Sequence, residues 1–219
     1  MTLELPALSE PVEINGVSFQ TVISPTILPI PEKVKDGKTW FKAGMRINNN
    51  SSKDYYFFDF PAMLRPSIKL STGQVFISSF NSDLRFCPRN HHVMLVKPTE
   101  SADILWNACL AWIQFGTNII KTKKKIRGVP EPYQNDPKLR FLFPFREHIV
   151  LYYAAMNPFP PKPDKYQLGF SYSLQSNLEN FQLNSFYRYI IPSVYSNIWT
   201  GSVNTLFVPV EIVEREIAA

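Results

Sequence analysis

The sequence has little glycine, few charges and almost no cysteine. Only 8 of the 219 residues are glycine, and the chain contains neither a P-loop nor a G-x-G-x-x-G motif. Charged residues make up 19% and hydrophobic residues 45%, which indicates a globular chain and excludes a disordered one. The two cysteines, Cys87 and Cys109, are interpreted as free buried thiols, although a disulfide between two strands stays open.

Targeting and membrane signals are also missing. Residues 1–10 lack the positively charged start and the continuous apolar core of a signal peptide. No apolar run approaches the roughly 18 residues that a membrane-spanning helix needs. The sequence therefore predicts a cytoplasmic protein, in which residues 1–10 form a loose N-terminal arm.

Aromatic residues and prolines, in contrast, are plentiful. The chain has 17 Phe, 10 Tyr and 19 Pro, and aromatic side chains favour the pleated, half-buried surface of a strand. Prolines spread along the chain leave little room for long helices and suit loops and strand ends. Composition alone predicts an all-β or β-rich fold.

Several segments alternate between apolar and polar side chains with the period of two that is typical of strands. The alternation is cleanest over 166–172, and Asn15-Gly16 predicts a tight turn within segment 11–24. In segment 40–48 the apolar set is Phe41, Ala43, Met45 and Ile47, and the opposite set is Trp40, Lys42, Gly44, Arg46 and Asn48. The polar turn at 48–52 predicts a hairpin between this strand and an aromatic strand at 54–60.

Other segments complete the expected order of elements. A second hairpin is predicted around 71–74, and further strands over 92–96, 139–145 and 199–213. Segments 104–115 and 146–156 fit a strand or a short helix equally well, because periodicity does not separate the two in short apolar runs.

Five short patterns, in this order, resemble those of a family of uncharacterised bacterial proteins that is mainly cyanobacterial. They are MRINNNS at 45–51, the aromatic pair at 57–58, PSIKLSTGQ at 66–74, YQLGFSY at 166–172 and WTGSVNTLFV at 199–208. The order and approximate spacing agree over residues 40–213. The resemblance implies an immunoglobulin-like sandwich and carries no catalytic residues across.

The predicted fold is thus an all-β, antiparallel, immunoglobulin-like β-sandwich of about eight or nine strands. It has long proline-rich loops and one or two short helices. Residues 11–215 form its single domain, with a basic, proline-rich loop at 121–137.

A basic run is the sharpest local feature, and it consists of Lys121, Lys123, Lys124, Lys125 and Arg127. One interpretation is a docking loop for an acidic protein, an anionic lipid or a nucleic acid. The other is a solvated loop that keeps an aromatic-rich protein soluble. The net charge of +5 suits acidic partners, but without a denser basic stripe it gives no firm nucleic-acid or membrane signal.

A second candidate surface consists of aromatic residues in expected loops, with one arginine among them. Its members are Tyr187, Arg188, Tyr189, Tyr195 and Phe159. Tyrosine, phenylalanine and arginine are enriched at protein interfaces. The alternative is that these side chains cover the end of the core.

No catalytic or metal-binding pattern stands out in the sequence. His91 and His92 are adjacent on an expected strand, so their side chains would point to opposite faces and would not chelate one ion together. The chain has no G-x-S-x-G elbow, and its carboxylates do not pair in a way that indicates hydrolysis. We therefore predict no metal, no cofactor and no enzymatic activity.

The predicted function is protein–protein interaction, as an accessory subunit of a larger assembly. A binding module for an anionic surface, acting through the basic run, is the first alternative. A carbohydrate-binding sandwich that uses exposed aromatic side chains is the second.

Overall fold

A computed structural model describes residues 5–33, 37–59, 63–77, 92–113, 138–142, 162–174 and 197–215. These residues contain strands and no α-helix, so the described chain is all-β, as composition predicts. The short helices that were expected are not found among these residues. Segment 146–156 and the loop at 121–137 lie outside the described ranges.

The described strands number fourteen, more than the eight or nine expected, because several are short. In chain order they are β1 (Ala7–Leu8), β2 (Val12–Ile14), β3 (Val17–Ser24), β4 (Ile27–Pro29), β5 (Lys38–Asn49), β6 (Tyr55–Phe58), β7 (Leu64–Lys69), β8 (Val75–Ile77), β9 (Val93–Val96), β10 (Ser101–Ile113), β11 (Lys138–Leu142), β12 (Asp164–Leu174), β13 (Gly201–Asn204) and β14 (Val208–Val213).

The strands form two six-stranded sheets and one strand pair. Sheet A has the order β1–β3–β5–β10–β11, and β2 also pairs with β3. Sheet B has the order β4–β14–β12–β7–β8, and β13 also pairs with β12. The pair consists of β6 and β9. The described pairings of sheet A are antiparallel, as predicted, whereas sheet B is mixed, because β4 runs parallel to β14.

The inner faces of sheets A and B contact each other through aromatic side chains. The ring centroids lie 6.3 Å apart in Trp106–Phe170, 5.9 Å apart in Phe141–Tyr166 and 6.5 Å apart in Phe19–Tyr172. Each pair joins one ring of sheet A to one ring of sheet B. The core therefore lies between the two sheets.

A buried pair of hydroxyl groups also joins the sheets. Thr21 lies on β3 and Thr205 follows β13, and their Oγ1 atoms are 2.6 Å apart. Thr21 Oγ1 is also 2.7 Å from the carbonyl oxygen of Leu206, and Thr205 Oγ1 accepts the Phe170 N–H at 3.0 Å. Because both threonines are at least 96% buried, these bonds replace contacts with water.

Four aromatic rings close one end of the core. Trp199 packs against Phe19, Tyr172 and Phe57, with ring centroids 4.9, 5.8 and 6.0 Å away. The hydroxyl of Tyr172 accepts the backbone N–H of Phe58 at 3.0 Å. Since Phe57 and Phe58 belong to β6, this cluster attaches the β6–β9 pair to both large sheets.

The predicted hairpin between segments 40–48 and 54–60 is wrong. Strand β5 is already paired with β3 on one side and β10 on the other, so no edge is available to β6. The buried Asn49 side chain turns the chain away from sheet A. Its Nδ2 donates to the carbonyl oxygens of Lys53 at 2.7 Å and Val96 at 2.9 Å, and its Oδ1 accepts the Ser51 N–H at 3.1 Å.

Other local predictions are confirmed or decided by the structure. Asn15 and Gly16, with φ of 54° and 74°, form the turn between β2 and β3, and the hairpin around 71–74 joins β7 to β8. Segment 104–115 is a strand in its described part, within β10. The expected arm is ordered at Ala7–Leu8, which pairs with β3. The closing strand is divided into β13 and β14, which both pair with β12.

We expect Thr21→Val to lower the free energy of unfolding by about 1–3 kcal/mol, because it leaves the Leu206 carbonyl oxygen and the Thr205 hydroxyl short of a partner. Urea unfolding of the variant beside the wild type measures the effect. Thr72→Val, at an exposed turn position, is the matched control. Equal unfolding midpoints for the two variants would mean that the buried hydroxyl pair contributes nothing.

Candidate partner-binding surface

The residues predicted to bind a partner lie outside the part of the chain that the structure describes. This holds for the basic run, for the loop aromatics and for the arginine among them, that is, for Lys121, Lys123, Lys124, Lys125, Arg127, Phe159, Tyr187, Arg188, Tyr189 and Tyr195. Both interpretations of each set therefore stay predictions.

The described residues offer no cluster with metal-ligand composition. No three His, Cys, Asp or Glu side chains lie close enough together within these ranges to hold an ion. His92 is 93% buried next to β9, and His91 lies outside the described ranges. Among the same residues, no helix has the length and apolar character needed to cross a bilayer.

The outer face of sheet A carries the most distinctive surface in the described chain. Its centre is an apolar row that crosses four strands, with Leu8 beside Val22, Val22 beside Gly44, and Gly44 beside Leu105. Leu8 is 41% exposed and Leu105 is 38% exposed, although both are large apolar side chains. Val22 and Gly44, between these two leucines, are buried, so the row is open to solvent at Leu8 and at Leu105.

Gly44 makes the centre of this row flat. A Cβ atom built on Gly44 would lie 1.9 Å from the backbone oxygen of Ile104, on the neighbouring strand β10. No side chain fits there unless the two strands separate. The apolar row is therefore interrupted by bare backbone between Val22 and Leu105.

Polar side chains on one side of the apolar row bond to one another within the plane of the sheet. Arg46 on β5 and Asp103 on β10 form an ion pair with two hydrogen bonds. Arg46 Nε donates to Asp103 Oδ1 and Arg46 Nη2 donates to Asp103 Oδ2, each at 2.8 Å. The hydrogen bond to Asp103 raises the pKa of Arg46. In the next row, Asn48 donates to Ser18 at 3.0 Å and accepts from Ser101 at 2.7 Å. These groups leave little unsatisfied hydrogen-bonding capacity.

The other side of the apolar row carries Trp40 between two lysines. Trp40 is 54% exposed, whereas Trp106 and Trp199 are 4% and 1% exposed. Lys38 and Lys42 lie two residues to either side of it on β5 and are both exposed. The ammonium nitrogen of Lys38 is 5.4 Å from the centroid of the Trp40 ring, within the range of a cation–π contact.

Cys109 lies beside Trp40 on the same face but is buried. It is a free thiol, as the sequence predicted, and only 1% of it is exposed. Burial raises its pKa to about 11, against the smaller, opposite effect of the Lys38 charge. The thiol is therefore neutral and unreactive at ordinary pH, which argues against a nucleophilic role. Cys87 lies outside the described residues.

The outer face of sheet B differs from that of sheet A. Phe207 lies against Gly169, where a built Cβ would meet the ring at 3.1 Å, and Lys69 lies 5.7 Å from the ring centroid. The ring is half-buried in this position. Ile77 on β8, at 64% exposure, is the most exposed large apolar side chain of the described strands.

Comparison with known proteins gives no relative for this chain. No protein-family model, no curated protein and no solved structure matches it.

The outer face of sheet A was not proposed as a site from the sequence, although its signal was present. The alternation in segment 40–48 places Trp40, Lys42, Gly44, Arg46 and Asn48 on the face opposite the core. Trp40 was the informative signal, because it is a large apolar side chain in a set that is otherwise small or polar and faces solvent. The apolar row was not visible, because it joins residues that are up to 97 positions apart, from Leu8 to Leu105.

We expect Cys109 to be alkylated by iodoacetamide far more slowly in the folded protein than in urea. A pKa raised from 9.0 to about 11 alone lowers the thiolate fraction about 100-fold at pH 8. Peptide mass spectrometry after timed quenching gives the rate at this cysteine separately from Cys87.

The raised pKa of Cys109 also makes the free energy of unfolding depend on pH. The thiol contributes stability that is fully present below pH 9 and is lost as the pH rises toward about 11, because only the unfolded chain ionises readily in that window.

In the alkylation experiment, equal rates for Cys109 in the folded protein and in urea would contradict its burial.

Proposed function

We propose that this protein is a non-catalytic interaction module, an accessory subunit of a larger assembly, and that it binds its protein partner with the outer face of sheet A. The observation that carries the proposal is Trp40, a tryptophan that is 54% exposed on a strand whose inner side chains are fully buried. Tryptophan is among the residues that contribute most to binding energy when a partner covers it.

The rest of the face has the composition of an interface. Leu105 adds exposed apolar area next to the backbone at Gly44, and Leu8 adds exposed apolar area two strands away in the same row. The ion pair of Arg46 with Asp103 and the bonds of Asn48 form a polar border. An apolar centre with a polar rim is the usual anatomy of a protein interface.

The arrangement of the polar groups supports a non-catalytic role. Catalysis requires acidic, basic or nucleophilic groups that converge on one reacting atom. Arg46 instead bonds to Asp103 and Asn48 to Ser101 within the sheet, and the thiol of Cys109 is buried and neutral. These features suit recognition by shape and contact.

We also propose that the two facing sheets form an immunoglobulin-like sandwich, as the resemblance to the mainly cyanobacterial family implies. The ring contacts between sheets A and B support a two-layer packing. A cytoplasmic location is part of the same proposal, and the reduced, buried thiol of Cys109 supports it.

Carbohydrate binding is a second candidate, and the same tryptophan is what favours it. An exposed indole ring on a sheet face can stack on a sugar ring, and Lys42 and its cross-strand neighbour Asn107 place polar groups nearby. A sugar ligand would require no protein partner. Binding to a glycan array, lost in a Trp40→Ala variant, would favour this candidate.

We expect Trp40→Ala to remove a stoichiometric partner in an affinity pull-down from native host lysate, with recovery reduced about tenfold or more. The loss of a hot-spot tryptophan costs about 2 kcal/mol or more of binding free energy. The exposed ring contributes little to folding, so we expect the unfolding midpoint to stay close to that of the wild type.

Ile77→Ala is the matched control, because it removes an apolar side chain of sheet B that is also more than half exposed. If Ile77→Ala loses the partner while Trp40→Ala retains it, the binding surface is on the other sheet and the proposal is wrong.

A further inference from the structure

Lys38, Trp40 and Lys42 form one straight row of exposed side chains, which we call the lysine-flanked tryptophan. Alternate residues of a strand point to the same side, so the three side chains rise from one face of β5. The two lysines are four residues apart, which corresponds to about 13–14 Å along the strand. The Lys38 ammonium group lies near the Trp40 ring, at 5.4 Å from its centroid.

The charges of this row are not neutralised within the described chain. Neither Lys38 nor Lys42 has an ion-pair partner among the described residues, whereas Arg46 on the same strand is paired with Asp103 at 2.8 Å. The exposed Glu13 lies level with Ser18 and Asn48, at the far end of the face. The described outer face of sheet A is therefore positive around Trp40 and close to neutral at its other end.

On this basis we infer that the partner presents an acidic, extended segment to the lysine-flanked tryptophan, an inference that rests on the proposed function. An extended segment also places every second side chain on one side. Carboxylates two residues before and two residues after an apolar side chain would match the spacing of Lys38, Trp40 and Lys42. The apolar side chain packs on the indole ring, and the carboxylates pair with the two ammonium groups.

A protein segment fits this row better than a nucleic acid does. Single-stranded nucleic acids are bound by several aromatic side chains that stack successive bases along a basic groove. On the described outer face of sheet A, Trp40 is the single exposed aromatic side chain. Two lysines are also too few to bind the phosphate backbone of a nucleic acid strongly.

The test uses two fluorescein-labelled peptides and the full-length protein. The first peptide repeats the pattern Glu-Ser-Leu-Ser-Glu three times, and the second replaces each glutamate by lysine. Fluorescence anisotropy at about 0.05 M and about 0.5 M NaCl gives the affinity and its salt dependence. A labelled thymidine dodecanucleotide is measured in parallel.

We expect the glutamate peptide to bind with a Kd on the order of 0.1 mM at low salt and more weakly at high salt. The double variant Lys38→Glu/Lys42→Glu should bind at least about tenfold more weakly, because attraction at two positions becomes repulsion. Lys38→Arg/Lys42→Arg should retain binding. The control Arg65→Glu/Lys165→Glu makes the same change in net charge on the outer face of sheet B and should bind like the wild type.

Three results would overturn the inference. They are the absence of glutamate-peptide binding to the wild type, equal binding by the Lys38→Glu/Lys42→Glu variant, and tighter binding of the oligonucleotide than of the peptide. If the native partner is lost in Trp40→Ala but retained in Lys38→Glu/Lys42→Glu, the proposed interaction face stands and its acidic partner does not. Retention of the partner in both variants would remove the proposed function as well.

Discussion

The two large sheets are held in one relative position by a hydrogen bond between two buried hydroxyl groups. Thr21 and Thr205 are 184 positions apart in the chain, and each also contacts backbone of sheet B or the segment that follows β13. Apolar packing between sheets is tolerant of small shifts, but a buried hydroxyl without its partner is costly. These bonds therefore select one register between the sheets, and the aromatic side chains pack in the space between them.

The outer face of sheet A follows from that core. Phe41, Ala43, Met45 and Ile47 are at most 3% exposed, so the side chains between them must point to the opposite face of β5. Pairing on both edges with β3 and β10 fixes the register of this strand. The exposed side of Trp40 is thus set by the buried residues on the opposite face of the same strand.

Local sequence predicted the elements well and their partners poorly. Asn15-Gly16 requires the left-handed backbone of a tight turn, and the alternation over 166–172 allows one buried face, so both were predictable from neighbouring residues alone. The partner of β6 depends on the buried Asn49, whose carbonyl acceptor at Val96 lies 47 positions away. The candidate surface was missed for the same reason, since Leu8, Gly44 and Leu105 meet only through strand pairing. The basic run and the loop aromatics lie outside the described residues and remain predictions.

The central claim is that the protein contacts its partner around Trp40. Photocrosslinking in host cells tests this claim most directly, with benzoyl-phenylalanine incorporated in place of Trp40 in one strain and in place of Ile77 in another. Both side chains are more than half exposed, and they lie on different sheets. We expect one discrete protein adduct from position 40 and none from position 77. An adduct from position 77 with none from position 40 would place the partner on sheet B and contradict the account.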